Sequence, residues 1–174
     1  MHENPGGDIQ FVNNLFVNGG HISEYKKNIL PVILDGNVYT KGAVRAILSN
    51  KEGNLGEVNA EAKEKLNNVQ NKEAVEKNFI ANENFEAGSK LITEGDKVYL
   101  EITLDKNWLT QQKRNLVTTA SLMKAIIPNL PYENVDSSPL KVDVDYSGKK
   151  RNLKNPSPGP FEISKTGTQN IRVW

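Results

Sequence analysis

Asp8-Ile9-Gln10-Phe11-Val12-Asn13-Asn14-Leu15-Phe16-Val17-Asn18-Gly19-Gly20 and Pro31-Val32-Ile33-Leu34-Asp35-Gly36-Asn37-Val38-Tyr39 are the two stretches on which the fold turns. Each passes from an apolar run through a polar turn to Asn, an aliphatic residue and an aromatic one. Asn14-Leu15-Phe16 and Asn37-Val38-Tyr39 lie about 23 positions apart, a spacing within the range of solenoid repeats. In a parallel coil each rung turns on Asn or Gly, an Asn side chain can stack on its equivalent in the next rung, and apolar residues point inward. Two ordinary strands separated by a loop satisfy the same pattern, and both readings stay open at this level.

Further along, Leu55 to Phe79 interleaves Ala60, Ala62, Leu66, Val69, Ala74 and Val75 with Lys and Glu. Asn59 is a suitable cap, and Glu61 with Lys65 and Glu73 with Lys77 are favourable i,i+4 pairs. One or two surface helices are expected between Asn59 and Phe79, with their charges forming a solvated face. Lys90-Leu91-Ile92-Thr93, a Glu94-Gly95-Asp96 turn and Lys97 to Leu104 read as a β-hairpin. Val98, Leu100, Ile102 and Leu104 alternate with Tyr99, Glu101 and Thr103, the period of a half-buried strand. Thr118 to Ile127 reads as a short helix or strand-like segment stopped by Pro128, and Gln169 to Trp174 as a terminal strand. Pro131, Pro139, Pro156, Pro158 and Pro160 argue against long helices and central strands, and favour a chain that wraps over an existing surface.

Composition sets the outer limits. The chain has 174 residues, 37% of them hydrophobic, a one-domain length with two small units allowed. Its 22 basic and 21 acidic residues leave a net charge of +1, which gives no electrostatic footprint for nucleic acid or an anionic membrane. No cysteine is present, so disulfides and thiolate metal sites are excluded and the compartment stays open. Met1 to Gly7 lacks a charged n-region and an apolar h-region, so no signal peptide is expected there, and no apolar run reaches bilayer-spanning length.

The motifs that could carry chemistry are weak. Asp143-Val144-Asp145-Tyr146-Ser147-Gly148 copies the first half of an EF-hand loop, but Lys154 occupies the place of the bidentate acid. Pairing of Asp143 or Asp145 with Lys149, Lys150 or Arg151 across a turn at Gly148 is expected instead. Glycoside hydrolysis needs a pair of carboxyl groups. Asp8, Asp35, Glu101, Asp143 and Asp145 are available, and no spacing singles out two of them. His2 and His21 belong to no Ser-His-Asp arrangement. Trp108, Trp174, Tyr25, Tyr39, Tyr99, Tyr132 and Tyr146 could form a sugar-stacking platform, against the commoner use of aromatics in a core. No residue is assigned as catalytic, cofactor-binding or metal-binding.

A resemblance is carried by Gly6-Gly7-Asp8 with Phe11 to Phe16, by Leu34 to Tyr39, by Val98 to Ile102 and by Val117-Thr118-Thr119. It continues through Ile127-Pro128-Asn129-Leu130-Pro131-Tyr132-Glu133-Asn134, Asp143 to Arg151 and Asn155-Pro156-Ser157-Pro158-Gly159-Pro160-Phe161-Glu162. From about Asp8 to Trp174 the chain resembles the C-terminal part of bacterial β-xylosidases built on a right-handed parallel β-helix. Relative to that pattern Leu55 to Phe79 is an expansion, and Ser137-Ser138 stands where a turn-forming Gly is expected. The resemblance implies a retaining xylosidase or related exo-glycosidase, several times longer, as the parent protein. Its catalytic Asp and Glu would lie upstream, so none is carried onto this chain.

The expected fold is therefore mainly β: the end of a right-handed parallel β-helix, or a small β-rich domain with one or two surface helices. Residues 1–50 are expected to form β-helix-like rungs, 51–87 a helical insertion, and 88–174 a hairpin plus a Pro-rich wrapping segment. The expected function is the C-terminal non-catalytic portion of a xylosidase-like glycoside hydrolase acting on plant polysaccharide. The alternative is a stand-alone carbohydrate-binding or surface module. A complete small hydrolase is disfavoured by the missing carboxylate pair. Carbohydrate is the expected partner, through the parent enzyme, with no nucleic acid, no membrane and no cofactor. Self-association through the N-terminal strand edge, or poor order before Asn18, is expected if that edge is open.

Overall fold

In the computed structural model, residues 9–22, 25, 32–45, 76, 78–125 and 128–174 are described. Five short strands come first: β1 (Ile9–Val12), β2 (Leu15–Phe16), β3 (Val32–Asp35), β4 (Asn37–Thr40) and β5 (Phe79–Asn82). They are followed by β6 (Ser89–Glu94), β7 (Lys97–Leu104), α1 (Trp108–Gln111), α2 (Thr119–Leu122) and β8 (Gly167–Arg172). The described residues are mainly β, and the two helices are single turns.

The spacing seen in the sequence is the register of the strands. β1 pairs with β3 in parallel, Ile9 opposite Val32 and Val12 opposite Asp35. β2 pairs with β4 in parallel, Leu15 opposite Val38 and Phe16 opposite Tyr39. A parallel bridge joins His21 to Val44, so the 23-residue offset persists beyond the strands. It holds through both corners as well. Asn13 and Gly36 occupy equivalent corners and both have positive φ, 58° and 72°. A side chain at Gly36 would collide with the carboxamide of Asn13, so the corner needs glycine in the second turn. Phe16 and Tyr39, opposite each other, stack with ring centroids 4.8 Å apart and planes 2° from parallel. β5 then extends the sheet, in parallel, to the order β2-β4-β5.

The hairpin forms as its alternation predicts. β6 and β7 are antiparallel, and β8 pairs with the other edge of β7 to give the order β6-β7-β8. Ile102 and Leu104 are buried, and Leu100 packs beside them. They meet Val38 of the parallel sheet, together with Trp108 and Ile163, in one apolar cluster. A second cluster, Ile22, Val32 and Leu34 with Phe11, Phe16 and Tyr25 against it, lies on the β1–β3 sheet. Burying such side chains stabilises each by about 1.5–3 kcal/mol, and the first of these clusters joins the parallel and antiparallel sheets.

Several expectations need correction or relocation. Most of the expected helix from Asn59 lies outside the described residues, and Phe79, its expected end, opens strand β5. The segment 118–127 begins as a helix, capped by Thr118, whose hydroxyl accepts from the Ser121 amide. Ser137 takes a positive φ of 62°, the conformation for which glycine was expected there, and Asp136 steadies the turn by accepting from the Ser138 amide and hydroxyl. The Pro-rich segment does not simply drape over a surface. Pro156, Ser157 and Pro158 are fully buried.

Candidate functional site

Two of the carboxylates available for chemistry, Asp143 and Asp145, are engaged in structure. Asp145, almost fully buried, accepts from the amides of Ser147 and Lys149 on Oδ1 and from the Glu162 amide on Oδ2. It therefore ties the turn at Gly148 to the segment after Phe161. Asp143 pairs with the Lys141 ammonium at 3.0 Å, which holds its carboxyl below the usual range. Neither pairs with the side chains of Lys149, Lys150 or Arg151, so the cross-turn ion pairs expected from sequence are replaced by backbone bonds and by Lys141. Arg151 instead bonds the carbonyls of Val144, Ser157 and Gly159 and lies 3.8 Å from Glu162. Glu101 sits mid-strand on β7, opposite Lys90 and Asn170. Asp35 ends β3, and Asp8 and His2 lie outside the described residues. Among the described residues no cluster of His, Asp and Glu could hold a metal ion.

The aromatic residues divide. Trp108 is fully buried and packs edge-on against Phe85 at 5.1 Å, so it belongs to the core and not to a platform. Tyr39 is also buried. Trp174 and Tyr146 are 78% and 63% exposed, and Tyr146 Oη donates to the carbonyl of Val173, the residue before Trp174. Tyr146 also packs edge-on against Phe161. A cavity of about 300 Å³ lies elsewhere, at the β1–β2 corner, lined by Asn13, Leu15, Val142, Arg151, Ser157 and Gly159 among others. The side chains of Arg151 and Ser157 in its wall already bond within the protein.

Two buried polar groups escaped the sequence. Arg114 is completely buried, and among the described residues no carboxylate forms an ion pair with it. Its Nε donates to the Gly36 carbonyl at 2.7 Å, Nη1 to the Trp108 carbonyl at 3.0 Å, and Nη2 to the Gln112 carboxamide. Burial pushes its pKa down to about 10, opposed by the charge of Asp35, so it remains a cation at neutral pH. In sequence, Gln111-Gln112-Lys113-Arg114 looks like surface charge, and nothing in that run marks the buried member.

Glu76 is the second. Asn14 donates from both its backbone N and its Nδ2 to Asn37 Oδ1, at 2.8 and 3.1 Å. Asn37 repeats this step, donating from N and Nδ2 to Glu76 Oε1 at 3.2 and 2.8 Å. Tyr39 Oη donates to Glu76 Oε2 at 2.8 Å. The stacked Asn anticipated from the repeat thus forms a ladder that ends on a carboxylate. Burial raises the Glu76 pKa despite these donors and the nearby Arg45, and burial together with Glu76 raises that of Tyr39. A carboxyl raised on folding contributes stability that is whole below its unfolded pKa and is lost as pH rises through its folded value. Glu76→Gln keeps an acceptor for Asn37 and removes that loss. The variant is expected to gain on the wild type as pH rises above about 4.5, read as urea midpoints across the acid-to-neutral range.

A solved structure of XylC in complex with xylose matches 98% of this chain with a TM-score of 0.68 and 23% sequence identity. The match covers 27% of the XylC chain, so this chain spans about a quarter of that protein's length. At this identity the likeness is one of fold. No family model and no curated protein matches the sequence.

Proposed function

We propose that this chain is the C-terminal, non-catalytic portion of a carbohydrate-active glycoside hydrolase of the β-xylosidase kind, acting on plant polysaccharide. On this reading its parallel strands are the last turns of a right-handed β-helix, and the β6-β7-β8 sheet packs against them. The observation that carries the reading is the fold likeness, over nearly the whole chain, to about a quarter of a protein solved with xylose. The 23-residue register and the Asn14–Asn37 step support it, because both join equivalent positions of successive turns. The chemistry agrees: hydrolysis with retention needs two carboxyl groups about 5 Å apart, and Asp143 and Asp145 are each taken up by separate structural partners. The role left for this portion is to close and stiffen the coil that carries the active site.

The exposed pair Trp174 and Tyr146 favours a second reading, a carbohydrate-binding module, since aromatic faces stack on pyranose rings. Affinity electrophoresis through xylan separates the two. Unretarded migration is expected. Retardation lost on Trp174→Ala or Tyr146→Ala would establish the module instead.

A further inference from the structure

The Asn ladder has a direction. Each step delivers two donors, a backbone N and a carboxamide Nδ2, to a single oxygen of the next turn. Asn14 gives its donors to Asn37, yet no group among the described residues donates to Asn14 Oδ1. The strands around it are similarly one-sided. Among the described residues, β1 pairs only with β3, and β2 only with β4. Val32, Leu34, Val38 and Tyr39 are buried, whereas their register partners Ile9, Phe11, Leu15 and Phe16 are only half-buried. Among the described residues, the first turn therefore offers an unfilled acceptor, an unpaired strand edge and partly exposed apolar side chains together.

We infer that the open edge of β1 and β2 is a docking site for one further parallel strand–corner–strand segment, carrying a carboxamide at the position opposite Asn14. Such a segment repeats the step already made twice, placing its backbone N and its Nδ2 on Asn14 Oδ1. A second copy of this chain, turned over by a two-fold axis, would meet the edge antiparallel and could not repeat the backbone half of that two-donor step. The other end of the ladder, Glu76, offers only acceptor oxygens. The favoured occupant is thus a parallel segment of the same repeat and not a symmetric dimer partner. This deepens the reading above by naming the partner of the coil.

The probe is a synthetic peptide with the sequence of residues Ile9 to Val17, which carries the strand, the Asn13 corner and the ladder Asn. It is added in excess to the isotope-labelled full chain, and amide exchange is followed at Ile9 to Val12. A second peptide has Leu in place of the ladder Asn, so the chain itself is never altered. Slower exchange is expected with the first peptide. The Leu peptide should be weaker by about tenfold, the value of one to two hydrogen bonds. Equal protection by both peptides would overturn the inference, as would no protection by either. Protection that grows with the concentration of the chain alone, with a dimer in sedimentation, would make a second copy the occupant and overturn it too. The assay contains no sugar, so its failure and the failure of the xylan test are separable.

Discussion

Replacing Arg114 with Leu is expected to lower the unfolding free energy by about 3–5 kcal/mol, since each buried acceptor left without a donor costs about 1–3 kcal/mol. The guanidinium is a hub. It joins the Gly36 corner, the Trp108 carbonyl of α1 and the Gln112 side chain, while Gln112 Nε2 continues to Asn78 Oδ1 beside β5. Its own backbone N donates to Asn155 Oδ1, and Asn155 Nδ2 donates to the Leu109 carbonyl. Removing the fork leaves several of these acceptors bare, and Leu restores none. Arg114→Lys is expected to recover only part of the loss, because an ammonium cannot reach acceptors spread around a planar fork. Urea unfolding of the two variants measures both effects. A loss below about 1 kcal/mol for the Leu variant would show that the hub carries little.

Gly159→Ala is expected to cost about 2–5 kcal/mol, from two independent sources. Its φ of +77° disfavours any residue with a Cβ, by about 1–2 kcal/mol. A Cβ there would also lie 2.9 Å from Leu15 Cβ, and overpacking a filled site costs about 1–3 kcal/mol more. The close approach is functional for the fold, because the Gly159 amide donates to the Asn13 carbonyl at 2.7 Å and so fastens the Pro-rich segment to the first corner. Alanine at position 15 would keep the clashing Cβ, so Leu15→Gly is the partner variant: the double variant should lose less stability than the sum of the two single losses, which a purely conformational cost would not allow. Thermal or urea unfolding of the single and double variants makes the comparison.

The parts of this structure that were legible in the sequence are those with a period. Val98, Leu100, Ile102 and Leu104 repeat every second residue, and they form β7 with its inner face on the core. Asn14 and Asn37 repeat at 23, and that number is the strand register. Residues whose role depends on a single distant contact left no such trace. Trp108 stands among Lys106, Asn107 and Thr110, and only the arrival of Phe85 and Val38 makes it core. Glu76 sits in a run of Lys, Glu and Asn, where a charge reads as solvated, yet it terminates the ladder. The density of prolines near the C-terminus correctly argued against long helices and central strands. It could not reveal that Pro156 and Pro158 are buried, because proline restricts the backbone without saying which face it meets.

Turnover of an aryl β-xyloside by the purified chain tests the functional account most directly. The account predicts none at any accessible enzyme concentration, since hydrolysis with retention requires a carboxyl pair about 5 Å apart that this portion is not assigned. Turnover that is abolished by substituting one of the chain's own carboxylates, Asp35→Asn or Glu101→Gln for instance, would contradict it.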